Sequence, residues 1–92
     1  MIRVIVLYPE EPDPGRYPEH VELARREAPE ATIRHGRVLG AAAGEPRYRY
    51  YFEYEFADRD AWKRAQQGLM AAAEDAREMG LAPEAYFVEL DA

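Results

Sequence analysis

The chain contains no cysteine. That excludes a disulfide framework, a thiolate metal site and a cysteine nucleophile. Serine is absent too, which removes serine nucleophile chemistry. Lysine occurs once, as Lys63, and no basic stripe replaces it: Arg16, Arg25, Arg26, Arg34, Arg37, Arg47 and Arg49 are interleaved with glutamate. The net charge is −6, so the clustered positive surface that nucleic-acid phosphates require is missing. No apolar run approaches the roughly 20 residues of a membrane-spanning helix. Residues 4–8 are apolar but too short for a signal peptide and have no cleavage site after them, and the chain reads as cytoplasmic. The two histidines, His20 and His35, fall on different elements without metal-ligand spacing, so no metal is expected. Gly36, Gly40 and Gly44 do not match a nucleotide fingerprint, and no cofactor is expected.

What is present is aromatic and alternating. In Tyr48-Arg49-Tyr50-Tyr51-Phe52-Glu53-Tyr54-Glu55-Phe56 one alternate set is wholly aromatic, while the other is mostly polar or charged. A period of two is the signature of a strand, because successive side chains point to opposite faces. The 92 residues make one domain, 1–92, near the small end of what folds alone. A third of them are charged and nearly half hydrophobic, a globular rather than a disordered composition.

The order of elements follows from periodicity and breakers. Residues 2–8 are β-branched and nearly continuous in apolarity, a central strand. Residues 9–15 hold three prolines and a glycine and form a loop. A helix begins near Pro18, with Glu19 and Glu22 in its first turn, Arg25 and Arg26 near its end, and Val21, Ala24 and Ala28 on its buried side. Pro29 stops it. Residues 32–39 read as a second strand, joined by the small-residue turn 40–46 to the aromatic strand. Asp58 or Asp60 caps a second helix. Its buried stripe is Trp62, Ala65, Leu69, Ala72, Ala73, Ala76 and Met79, and Gly80 ends it. Residues 85–90 form a last strand.

This β-α-β-β-α-β order is the ferredoxin-like α+β plan, an antiparallel sheet with two helices on one face. Tyr48, Tyr50, Phe52, Tyr54 and Phe56 are expected to face the helices, opposite Trp62 and Leu69. By the same parity Arg3, Ile5, Leu7, Arg49, Tyr51, Glu53, Glu55, Phe87 and Glu89 fall on the open face. His35, Arg37 and Leu39 are expected to join them, although the parity of the second strand is weakly marked. An open face this apolar marks an interface. Pairing two such sheets about a twofold axis makes a homodimer with a shared barrel.

The chain resembles the EthD-like family of dimeric α/β-barrel proteins over nearly its whole length. The likeness lies in Ile2-Arg3-Val4-Ile5-Val6-Leu7-Tyr8-Pro9 with its Pro/Gly loop and in the Gly40-Ala41-Ala42-Ala43-Gly44 turn. It continues through residues 48–56, which contain Glu53, to Asp58-Arg59-Asp60-Ala61-Trp62. The resemblance implies a ferredoxin-like protomer, a dimeric α/β barrel and a small-molecule pocket on the open face. A histidine that members carry near the end of the first helix has no counterpart in Arg25-Arg26-Glu27-Ala28-Pro29. Another falls where this chain has Arg49. His20 is not assigned either role.

Glu53, Arg49, Tyr51, Arg3, His35 and Glu89 are the candidate site. A carboxylate inside a partly apolar barrel has its charged form disfavoured and can act as a base. Glu53 would take that part, with Arg49 or Arg3 holding an anionic oxygen and Tyr51 donating a hydrogen bond. Such a set suits a cofactor-independent oxygenase or isomerase acting on a small carbonyl or aromatic metabolite. The alternative is a non-catalytic ligand-binding or assembly protein, in which these charges are cross-strand ion pairs filling the barrel. A haem role would rest on His35 as axial ligand. On the catalytic view, Glu53→Gln leaves folding nearly intact and abolishes ligand binding.

Overall fold

β1 (Ile2–Tyr8) runs inside a four-stranded sheet, paired on one side with β3 (Tyr50–Phe56) and on the other with β4 (Glu84–Glu89). β2 (Thr32–Arg37) pairs with the outer side of β3. The order β2-β3-β1-β4 is antiparallel throughout, and with the helices it makes the ferredoxin-like α+β fold. The computed structural model describes residues 1–91. Among them no helix is long and apolar enough to cross a membrane.

α1 (Tyr17–Glu27) has Pro18 in its first turn and Arg25 and Arg26 in its last, as the helix dipole favours. Val21 and Ala24, with Ala28 just beyond, enter the core, and so do Tyr17 and His20. The single second helix expected from sequence is two: α2 (Arg59–Arg64) and α3 (Gln66–Glu78), meeting at Ala65. At the junction the Ala65 N–H donates to the Trp62 carbonyl, which also accepts from the Gln66 side-chain amide. Asp58 caps α2 by accepting from the Ala61 N–H at 2.8 Å. Gly80, at φ 81°, ends the run in the left-handed region.

Gly68 sets how closely the helices approach. A β-carbon there would lie 2.0 Å from the Glu27 carbonyl oxygen. α3 therefore packs chiefly against α1 and stands off the sheet. Beyond Leu69 its inward side chains are the alanines Ala72, Ala73 and Ala76, which do not fill the space that this leaves.

Phe52, Tyr54 and Phe56 are buried on the helix side of β3, with Tyr50 half-buried among them. Tyr48 does not join them: it precedes the strand, and its hydroxyl donates to Glu84. Two parities differ from expectation. In β4, Phe87 pairs with Val4 and Glu89 with Ile2, which puts both on the helix side and leaves Tyr86 and Val88 on the open face. In β2, His35 pairs with Phe52 and Arg37 with Tyr50, so both lie on the helix side, while Arg34 pairs with Glu53 on the open face. The physical reason is Ile33, the strand's one aliphatic side chain, which is buried and carries His35 to the same side. Leu39 lies beyond β2, fully in solvent.

Candidate functional site

On the open face, β1, β2 and β3 bring Arg3, Arg34, Glu55 and Tyr51 together around the Glu53 carboxylate. Glu53 is only 6% exposed. It accepts from Arg34 Nη1 at 2.5 Å and from the Tyr51 hydroxyl at 2.6 Å, with Arg3 Nε at 3.8 Å. Arg3 also donates to Glu55 at 2.7 Å, and Arg34 stands 3.5 Å from the same carboxylate. Burial pushes the Glu53 carboxyl up, but the bonds from Tyr51 and Arg34 and the charge of Arg3 outweigh it and hold the group below the usual carboxylate range. That is the reverse of what a general base on this face needs. Burial, then the bond to Glu53, pushes the Tyr51 hydroxyl up to about 12, so it remains a donor.

Of the residues expected here, Arg3, Tyr51 and Glu53 come together, and Arg34 joins them. His35 and Glu89 do not: His35 stacks on Phe52 at 5.8 Å on the helix side, and Glu89 accepts both bonds of Arg59 at 2.8 Å. Arg49 precedes β3 and is exposed; among the described residues its guanidinium makes no ion pair. Its place in a site is carried only by its position before the strand.

A second constellation lies on the other side of the sheet. Between α3 and the strands β1 and β4 is a cavity of about 180 Å³. Val4, Val6 and Phe87 form its floor, and Leu69, Ala72, Ala73 and Ala76 its roof. Met70 and Phe87, both well exposed, mark its mouth. Tyr8 and His20 close its inner end, and Tyr54 borders it.

The inner end is a relay. His20 is 2% exposed and its Nδ1 lies 2.8 Å from Asp75 Oδ2. Asp75 also accepts from Arg16 at 2.5 Å. Burial raises the Asp75 carboxyl, yet the bonds from His20 and Arg16 prevail and hold it below its ordinary range. An ionised carboxylate only accepts, so Nδ1 carries the proton and Nε2 is the basic nitrogen. Nε2 lies 3.4 Å from the Tyr8 hydroxyl, where the cavity ends. Burial pushes Tyr8 far up, as do the charges of Tyr54 and Asp75, so Tyr8 is a donor at every working pH. A histidine oriented by a carboxylate, with its second nitrogen facing an apolar cavity, has the geometry of a general base.

Sequence reasoning passed over this pair. The signal was a polar residue on each buried stripe: His20 follows Tyr17 by three and precedes Ala24 by four, and Asp75 follows Ala72 by three and precedes Met79 by four. Among the described residues no three His, Cys, Asp or Glu side chains are grouped to hold a metal ion.

No family model matches the chain, and no curated protein matches it. Solved structures do. An ethyl tert-butyl ether D (EthD) family protein from Bacillus halodurans superposes with a TM-score of 0.74 at 21% identity, over 99% of both chains. A dimeric ferredoxin-like protein of unknown function from Thermobifida fusca gives 0.65 at 24% identity, over 97% of this chain and 90% of the other. SnoaB, a cofactor-independent oxygenase from Streptomyces nogalater, gives 0.66 at 14% identity, over 99% and 93%. The chain has the fold of EthD family proteins and of dimeric ferredoxin-like proteins.

Proposed function

We propose that this protein is a homodimer that binds a small, largely apolar metabolite between α3 and the sheet, and that it acts on that molecule by cofactor-independent acid–base chemistry of the oxygenase or isomerase type. One observation carries this: a buried histidine has one ring nitrogen tied to Asp75 and the other at the end of an apolar cavity beside Tyr8. His20 takes a proton from the bound molecule, Asp75 steadies the imidazolium, and Tyr8 donates to the oxygen that gains charge. For an isomerase the proton returns at another carbon. For an oxygenase the activated substrate itself reduces dioxygen, and the fold relative SnoaB is a cofactor-independent oxygenase.

The dimer is supported by the open face. Ile5, Leu7, Tyr51, Tyr86 and Val88 surround the Arg3–Glu53–Arg34 cluster there, and a fold relative is dimeric. Pairing two such faces would bury the cluster in the barrel. The same cluster favours a second, non-catalytic role for that face, with paired charges filling the barrel and fixing the assembly.

The test is a panel of small phenols, cyclic diketones and aryl ketones, screened by melting temperature and then by oxygen uptake and proton exchange. At least one compound should stabilise the protein and turn over, and His20→Gln should abolish turnover. Binding without turnover in either protein would leave a ligand-binding role, and no binding at all would remove the cavity as the site.

A further inference from the structure

The cavity's size limits its occupant. At about 180 Å³ it is close to the apolar cavity of about 150 Å³ that admits benzene, so one six-membered ring with small substituents fills it. Its walls suit a ring as well. The Phe87 and Tyr54 rings and the Met70 thioether border it, and aromatic groups pack well against rings and sulfur.

Its charges limit the polar group that the ring carries. No Arg or Lys lines the cavity. A carboxylate or phosphate would enter without a counter-ion, with the Asp75 carboxylate just behind His20. A hydroxyl meets a different situation. Its O–H bond breaks, an N–H bond forms at His20 Nε2, and the net charge of the site does not change. The result alternates in sign along one line: ligand oxyanion, imidazolium, Asp75 carboxylate and Arg16 guanidinium. The other groups around His20 do not interfere. Tyr17 stacks on it from α1 and Tyr54 borders the cavity from β3, both kept protonated first of all by burial, and His35 lies beyond Phe52.

An unsubstituted phenol ionises near pH 10 and keeps its proton at neutral pH. A ring hydroxyl acidified by conjugation gives its proton up far more readily. We infer that the ligand is a single-ring phenol or cyclic enol made acidic by a conjugated electron-withdrawing group, and that it is held as its oxyanion between His20 Nε2 and the Tyr8 hydroxyl. This rests on the acid–base function proposed above.

The probe is 4-nitrophenol, whose oxyanion is coloured, with toluene as the ring without a hydroxyl. Titrated with the intact protein, bound 4-nitrophenol should ionise with a constant about tenfold larger than in water, and toluene should displace it. His20→Gln should abolish the shift. Because His20 is buried, Tyr8→Phe is measured beside it and should reduce the shift by roughly threefold to tenfold. Ala73→Leu, which fills the cavity, should remove both binding and colour change. Binding of both probes with no colour change would overturn the oxyanion and leave the cavity as the ligand site. Binding of neither would overturn the cavity function as well. A shift that survives His20→Gln or Ala73→Leu would come from elsewhere on the surface and would overturn the assignment.

Discussion

His20 on α1 and Asp75 on α3 are 55 positions apart in sequence and meet at 2.8 Å. Arg16 holds the same carboxylate from its outer side at 2.5 Å. The crossing of the two helices, not any local motif, assembles the pair. Each partner sits on a stripe that is otherwise apolar, so the pair both clamps the helices and orients a base.

The clamp should weaken in acid. The folded protein holds the Asp75 carboxyl below its unfolded value of about 4. Its contribution to stability is therefore present above that value and is lost as pH falls toward the lower, folded one. Asp75→Asn should cost about 1–3 kcal/mol at pH 7, and the deficit should shrink in urea melts near pH 3. A deficit that stays the same at both pH values would show that the charge of Asp75 is not what holds the helices.

Glu53→Gln should act on stability rather than on ligand. Two donors and the charge of Arg3 converge on a nearly buried carboxylate, and removing its charge should cost about 1–3 kcal/mol. Arg34 and Arg3 are partly exposed and can turn to water, which keeps the loss below that of a fully buried pair. Glu53 lies on the opposite side of the sheet from the cavity, so 4-nitrophenol binding should be unchanged. Loss of binding with an unaltered melting temperature would return the catalytic role to Glu53.

Gly68→Ala should destabilise the protein although alanine favours a helix by about 1 kcal/mol over glycine. The new methyl would meet the Glu27 carbonyl, and overpacking of this kind costs about 1–3 kcal/mol. Parting the helices should also lengthen the His20–Asp75 bond, so probe binding should fall with the melting temperature. A variant that melts higher than the parent would contradict the close crossing.

Val88→Glu places a charge on the open face beside Arg3 and Tyr86. Light scattering coupled to size exclusion should find a dimer for the parent and a monomer for the variant, with unchanged far-UV circular dichroism. A dimer that survives the substitution would place the interface elsewhere.

The sequence disclosed the strands and helices well, because the aromatic alternation of β3 and the β-branched run of β1 report directly on faces. It disclosed the two edge strands poorly. In β4 both alternate sets contain an aromatic, Tyr86 or Phe87, and the charge on Glu89 is paired with Arg59 at the margin of the helix layer. In β2 the parity was legible in Ile33, the strand's one aliphatic side chain, but His35 was expected on the open face with Arg37 and Leu39. The relay was hidden for another reason. Tertiary contacts create it, and the alanines beside it read as ordinary core although the helix that carries them stands off the sheet.

Those alanines have a consequence for how the protein can diversify. Where the roof of a chamber is built from methyl groups, nearly every substitution enlarges a side chain and so subtracts space. Ala72, Ala73 and Ala76 lie on one helix face, apart from the strands that fix the fold. Descendants of this chain can narrow or reshape their guest by single changes there, while Tyr8, His20 and Asp75 keep the same proton chemistry at the chamber's end.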